Sequence, residues 1–331
     1  MSVDDGIREF WTWWTTARER VVHAIEVERS FSEELIADIG RHVDAIGDLD
    51  WELCPGASAK HAFCLSPKGN PDGRLVTEVW RQRGPAADET WEYYPARQAR
   101  LGTTLEIDDV RLDRDELVAA LEVDTDRERV YARYFHPRFV DLPEDRRVVA
   151  LFLLLDGALG EDRVERWLGG IDLADDEPEE AVPFHQLLEA VAELERTATR
   201  EKYAILKGES EEGLPLFITC NMALKRIDHL LNTMHVAIDL AILDQNPQGL
   251  TTEADADALN AIEDELSAAL GASAVYFGRE TRPGHRVLHW YVPEDGPAER
   301  IIAAWAHDHP DRRPHVEITR DPGWEFVKNF V

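Results

Sequence analysis

The stretch 234–242 reads Met-His-Val-Ala-Ile-Asp-Leu-Ala-Ile, in which apolar and more polar residues alternate strictly. A period of two residues is typical of a β-strand that buries one face and turns the other away from the core. The aliphatic side of the pattern carries Val236, Ile238, Leu240 and Ile242. The opposite side carries His235, Ala237, Asp239 and Ala241. The sequence therefore predicts a strand here with its aliphatic side chains turned toward packed helices.

Four further elements follow this strand in a regular order. They are a helix from Thr251 or Thr252 to Gly271, a hairpin of strands over 273–280 and 285–292, a helix from Pro297 and a strand over 314–319. Strand, helix, hairpin, helix and strand is the order of a ferredoxin-like βαββαβ unit. We expect both helices to cover one face of the sheet, with the strand at 234–242 between those at 285–292 and 314–319.

Two extra strands, over 203–208 and 214–220, precede this unit and are joined by the loop 209–213. We therefore predict an α+β chain with two domains, 1–200 and 201–331. The first domain mixes helices with short strands. Its predicted helices cover 4–28, 32–46, 71–82, 144–158, 161–168 and 184–200, and its strands cover 50–54, 60–66, 91–94, 103–107 and 128–135. Residues 115–122 fit a helix and a strand equally well, and the helix at 144–158 is apolar nearly all round, which predicts full burial.

The chain is strongly acidic, with 36 Lys and Arg against 66 Asp and Glu and a formal net charge of −30. Such a charge repels nucleic-acid backbones and anionic membrane surfaces, so we expect neither as a partner. The acid is spread along the whole chain, which favours a solubilising surface. The alternatives are recognition of a basic protein partner and mimicry of nucleic acid.

The three cysteines are sparse and have no C-x-x-C spacing, which indicates a reducing compartment. The first residues lack the basic and apolar regions of a signal peptide. The longest apolar run, 148–155, is too short to cross a bilayer. We therefore expect a cytoplasmic protein.

A search for strong catalytic and metal-binding motifs finds none, so no catalytic residue, metal or cofactor is assigned. Cys54, His61 and Cys64 lie on two neighbouring predicted strands, but their spacing is not that of a zinc site. His307 and His309 flank an aspartate at the predicted end of a helix, where basic groups complement the helix dipole. Both groups are interpreted as structural.

The main candidate site depends on the side-chain parity of the predicted sheet. If aliphatic side chains face the helices, an open face on the other side carries His235 and Asp239 from one strand and His315 and Glu317 from another. His289 and Tyr291 of the hairpin would join them, although the register of that strand is open. Imidazoles beside carboxylates suit acid–base chemistry, metal binding or ligand binding. The alternative is an interdomain or dimer interface in which these polar groups pair with one another.

One aromatic residue near the N-terminus is a candidate for contact with another protein. Trp11 and Trp14 fall on the apolar stripe of the first predicted helix, whereas Trp13 lies off that stripe. An exposed tryptophan is a frequent anchor in protein interfaces, so Trp13 is the predicted contact residue.

Several scattered motifs also resemble a known family. They are Gly213-Leu214-Pro215-Leu216-Phe217 with Asn221, Gly278-Arg279-Glu280-Thr281 followed by Gly284-His285-Arg286, Tyr291, and Asp321-Pro322-Gly323-Trp324-Glu325. In this order they resemble the uncharacterised bacterial domain of unknown function 695, over about residues 200–331, and the N-terminal part is similar to the region that often precedes that domain. The resemblance implies an α+β fold and no established activity. In outline the C-terminal segment is also similar to the type B regulator of ribonuclease E activity, a likeness of fold alone.

Two classes of function remain open from the sequence. The favoured interpretation is a non-catalytic binding or regulatory protein that acts through acidic surfaces and an open sheet face, with a basic protein or a second copy of the chain as its partner. The alternative is a metal-assisted hydrolase that uses the His, Asp and Glu cluster on that face.

Overall fold

The computed structural model describes residues 2–100, 102, 104–199, 201–209 and 213–330. Its contacts divide the chain into two compact units, the first formed by Met1–Glu122 and Val130–Val191 and the second by Val123–Arg129 and Ala192–Val331. Helices and strands occur in both, which confirms the α+β class. The domain boundary at residue 200 stays a prediction. Of the predicted segments, Thr103, Arg200 and residues 210–212 lie outside the described part of the chain.

The part of the chain before residue 192 contains helices and short strands, and the strands belong to several sheets. The helices are α1 Val3–His23, α2 Glu33–Asp44, α3 Pro71–Arg83, α4 Glu144–Leu159, α5 Glu161–Trp167 and α6 Phe184–Thr197. The strands are β1 Asp50–Pro55, β2 His61–Ser66, β3 Trp91–Tyr94, β4 Thr104–Ile107, β5 Val110–Asp113, β6 Val118–Asp124, β7 Arg129–Phe135, β8 Leu168–Leu173 and β9 Val182–Pro183. They pair in the orders β1-β2-β3, β4-β5 and β8-β7-β6-β9.

Aromatic packing holds α1, α3 and the first sheet together. The side chains of Phe10, Trp14, Phe63, Trp80 and Trp91 are buried in one cluster with many edge-to-face ring contacts. The hydroxyl groups of Ser2 and Ser32 accept hydrogen bonds from the first turns of α1 and α2, as expected of N-cap residues.

Two expectations for this part of the chain change in the structure. The ambiguity at 115–122 is settled in favour of a strand from Val118 onward, where β6 begins, whereas Arg114–Glu116 form a 3-10 turn. The prediction that the helix at 144–158 is buried all round is wrong, because α4 leaves Val148, Val149 and Phe152 at least 40% exposed. Its buried side chains lie along one stripe only.

The second unit contains one large antiparallel sheet. Its strands are β10 Tyr203–Glu209, β11 Pro215–Asn221, β12 Met234–Ala241, β13 Val275–Arg282, β14 His285–Val292 and β15 His315–Arg320, and its helices are α7 Glu253–Leu270, α8 Ala298–Asp308 and α9 Glu325–Lys328. The spatial order is β10-β11-β13-β14-β12-β15. Strand β12 thus lies between β14 and β15, as predicted for the segments 234–242, 285–292 and 314–319. The ferredoxin-like description stays a prediction.

The side-chain parity predicted for β12 is confirmed. Val236, Ile238 and Leu240 have no exposed surface and pack in one cluster with side chains of α7 and α8. Directly opposed residues of paired antiparallel strands point to the same face, and Val236 opposes Ile318 while Ile238 opposes Val316. We call the side of the sheet opposite α7 and α8 the reverse face.

Candidate functional site

All six residues of the predicted cluster lie on the reverse face. His235 opposes Tyr291 across the β12–β14 pair, and the alternation along β14 puts His289 on the same side. In the β12–β15 pair, Asp239 opposes His315 and Ala237 opposes Glu317. Contacts divide the six residues into a buried group, a surface ion-pair group and an exposed pair.

The buried group is built around two imidazoles, which we call the histidine pair. Nε2 of His235 lies 3.1 Å from Nδ1 of His289, and His289 is only 4% exposed. On its other side, Nε2 of His289 lies 3.6 Å from Oε1 of Glu280. This distance is longer than a hydrogen bond, yet the neighbouring His289 holds the pKa of Glu280 below its ordinary value. Glu280, His289 and His235 thus form a line of three titratable groups.

Burial restricts the charge that the histidine pair can carry. Burial, and after it repulsion from His289, lowers the pKa of His235 to about 4. Across the 3.1 Å contact one ring nitrogen must donate and the other must accept, so two imidazolium ions would place two N–H groups against each other. At neutral pH His235 is therefore a neutral imidazole.

The C-terminal segment 321–330 covers this part of the reverse face. The ring of Phe326 stacks on His235 and on His289, with centroid distances of 4.2 and 4.3 Å. Trp324 stacks on Tyr291 at 4.2 Å and donates its indole N–H to the carbonyl oxygen of Asn232. The expectation of an open face is therefore wrong here, because the chain's own aromatic side chains fill it.

A hydrogen-bonded carboxylate fixes that covering segment to the sheet. The hydroxyl group of Tyr291 donates to Asp321 at 2.6 Å, and the backbone N–H groups of Glu325 and Phe326 donate to the same carboxylate. Burial opposes ionisation of Asp321, but these hydrogen bonds keep its pKa below the ordinary value. Burial and the neighbouring carboxylate raise the pKa of Tyr291. Tyr291 thus holds the segment in place and has no exposed surface.

The second group is a set of ion pairs around Asp239. Its carboxylate accepts hydrogen bonds from Arg282 at 3.1 Å and lies 2.9 Å from Nδ1 of His285. Both partners are about half exposed. Asp239 lies opposite Val287, in the row of the reverse face next to the one that contains His289.

The last two predicted residues, His315 and Glu317, form the exposed pair. They lie 3.3 Å apart on β15, with 74% and 70% of their side chains exposed. Because β15 pairs only with β12, it forms one edge of the sheet. The structure therefore does not bring these two residues to the histidine pair.

The arrangement of ligand atoms bears on metal binding. Within the described residues, no three His, Cys, Asp or Glu side chains are grouped so that they could hold a metal ion. Cys64 has no exposed surface and its thiol contacts the carbonyl oxygen of Ala96, while burial raises the pKa of Cys54.

In the same described part of the chain, no helix combines the length and the apolar character that crossing a bilayer requires.

Trp13, the predicted contact residue, is partly buried. Its indole N–H donates to Asp38 at 3.2 Å, and its ring stacks on His42 with a centroid distance of 4.2 Å. The ring therefore packs between α1 and α2, and its role in contact with another protein stays a prediction.

Sequence reasoning missed three residues that define the buried group: Glu280, Asp321 and Phe326. Glu280 and Asp321 both occur in the motifs of the family resemblance, which was the one available signal. Phe326 lies on α9, a helix of four residues that is too short to show an amphipathic period.

Comparison with known proteins finds a family that matches part of the chain. No curated protein and no solved structure matches the chain. The family model that does match covers the end of the chain, including β11–β15 and the covering segment. Residues 209–331 match a family of unknown function (DUF695), which confirms the resemblance for this segment.

Proposed function

We propose that this protein is a non-catalytic binding protein that recognises a basic protein partner through the exposed part of its reverse face. The observation that carries the proposal is the division of that face. The histidine pair stacks beneath Phe326 of the covering segment, whereas Asp239 and Glu317 lie in the part that remains accessible.

Charge supports a basic partner. The formal net charge of −30 attracts cationic proteins over distances comparable with the Debye length, which speeds encounter. The edge strand β15 adds backbone N–H and C=O groups to which an extended partner segment can pair. A second copy of the chain is the alternative occupant, and like charge disfavours it.

The hydrolase alternative has no observation in its favour. Proton transfer requires that a side chain reach the substrate, and Phe326 covers both members of the histidine pair. Asp239 and Glu317 are accessible but belong to separate groups.

Binding of a fluorescent oligolysine peptide to the full chain tests the proposal. The double variant Asp239→Asn/Glu317→Gln removes two charges from the reverse face, and we expect it to weaken binding several-fold, by about 1 kcal/mol, at low salt. The matched control Glu179→Gln/Glu180→Gln removes two charges from an exposed loop and should change the affinity little. Melting temperatures establish that both variants fold.

Added salt gives the second readout. Affinity should fall steeply as sodium chloride increases, since screening weakens contacts between exposed charges. Equal weakening by the two double variants would show that oligolysine responds only to net charge, and the reverse face would then not be the binding surface.

A further inference from the structure

The β10–β11 end of the large sheet is open on the side where α7 and α8 pack. Cross-strand register places Ile205, Thr219 and Arg279 in one row, which continues through Leu288 into the core beneath the helices. Ile205 is 64% exposed, and Tyr203, which points to the same side, is 51% exposed. The two helices therefore cover only part of this face and leave a ledge beside α7.

Two arginines lie where the ledge meets the buried core. Nη1 of Arg279 donates to Oδ1 of Asn260 at 2.7 Å, and Nη1 of Arg286 donates to the same oxygen at 2.9 Å. One neutral amide oxygen thus bridges two guanidinium groups. This arrangement brings two like charges together, which is unfavourable unless an anion lies nearby.

The carboxylates near the two arginines do not balance both charges. Glu263 lies 3.0 Å from Nη1 of Arg279, and its other oxygen accepts the hydroxyl hydrogen of Tyr276. Asp255 is engaged by Arg312 at 2.7 Å. Arg286 is 4% exposed, and among the described residues its Nε has no hydrogen-bond partner. Burial, and after it repulsion from Arg279, lowers the pKa of Arg286, and the nearby carboxylates Glu263 and Asp255 offset this effect only in part.

We propose that Arg279 and Arg286 form a binding site for an oxyanion, a carboxylate or phosphate group carried by a small organic molecule. The guanidinium fork matches the oxygens of either group, and Arg279 retains 26% side-chain exposure, which leaves it accessible from the ledge. Ile205 and Tyr203 provide an apolar surface against which the rest of the molecule packs. This site is on the opposite side of the sheet from the reverse face.

Arginine side-chain NMR of the full chain tests the site. The Nε–H signals of Arg279 and Arg286 are followed during titration with inorganic phosphate, acetate and hexanoate at constant ionic strength. We expect saturable shifts of both signals. The stronger binder of phosphate and acetate identifies the group that the site recognises. Hexanoate should bind more tightly than acetate, because its alkyl tail packs on the apolar surface. The absence of a saturable shift with all three anions would overturn the proposal.

Matched variants separate this site from a general effect of salt. Arg279→Gln should weaken binding by roughly tenfold or more, because it removes one of the two cations. Arg282→Gln makes the same change on the same strand but on the other face, and it should leave the affinity unchanged. Ile205→Ser, at an exposed position, should weaken hexanoate alone. Equal affinities of Arg279→Gln and the unaltered protein would refute the assignment.

Discussion

At the scale of single residues, Asp156 of α4 has a buried and strongly perturbed carboxyl group. It is 7% exposed, and its closest cation is Nη1 of Arg97 at 3.9 Å. Burial, together with repulsion from Glu161, raises its pKa to about 7, although Arg97 acts in the opposite direction. The folded protein thus keeps a proton on Asp156 under conditions in which an unfolded chain has lost it.

We predict that Asp156→Asn stabilises the protein at pH 8 and has little effect near pH 4. The pKa is raised in the folded state, so the free energy of unfolding falls as pH rises from about 4 to about 7. Asparagine does not ionise, so the variant should avoid about 2–4 kcal/mol of this decrease in the free energy of unfolding. Urea unfolding at several pH values measures it. Asp175→Asn, in an exposed loop, should follow the unaltered protein, and parallel pH profiles for Asp156→Asn and the unaltered protein would contradict the prediction.

Residue positions on the sheet could be predicted where the pattern is local. The alternation along β12 fixed which side Asp239 faces, because neighbouring residues in a strand point to opposite faces. The perturbation of Asp156 could not be predicted, since it results first from burial in the folded protein and then from the balance between Glu161 and Arg97, which is distant in sequence. Local periodicity carries no information about such long-range neighbours.

At the scale of elements, the close approach of α1 and α2 depends on Gly6. A Cβ atom at this position would lie 2.2 Å from the carbonyl oxygen of Ala45, a backbone atom that cannot rotate away. At Gly40 of α2, the nearest atom to such a Cβ is Nε1 of Trp51 at 4.0 Å. An added methyl group therefore has room at Gly40 but would collide with the backbone of Ala45 at Gly6.

We predict opposite effects of Ala at these two glycines. Gly40→Ala should stabilise the protein by about 0.5–1 kcal/mol, because alanine has the higher helix propensity. Gly6→Ala should destabilise it by about 1–3 kcal/mol, because the added methyl group must push α1 away from Ala45. Chemical denaturation measures both values. A stabilising Gly6→Ala would show that the helices can separate freely.

Elements with a clear period could be predicted, and elements without one could not. Helix α7 begins after Thr252, one of the two caps that the sequence offered. The covering segment gave no such signal, because α9 has only four residues and begins after Trp324, whose φ is +53°. Its packing on Tyr291 is decided by tertiary contacts, which also decide that α4 exposes one apolar side.

At the scale of the whole molecule, the family match and the compact units do not coincide. The match begins at residue 209, whereas the second unit also contains β10 and the segment Val123–Arg129. Within that unit, Nζ of Lys225 donates to the carbonyl oxygen of Arg127 at 2.6 Å. A chain segment from before residue 130 thus completes the unit, which the sequence could not reveal because the contact spans 98 residues.

The net charge of −30 predicts that salt stabilises the folded protein. Like charges are closer together in the folded state than in an expanded chain, so screening relieves more repulsion in the folded state. The melting temperature should rise between about 20 and 500 mM sodium chloride, and equally in potassium chloride, because screening depends on ionic strength. Replacing the exposed Glu177, Glu179 and Glu180 by Gln should reduce the rise. A melting temperature that falls with salt would mean that ion pairs such as those of Arg97 outweigh the repulsion.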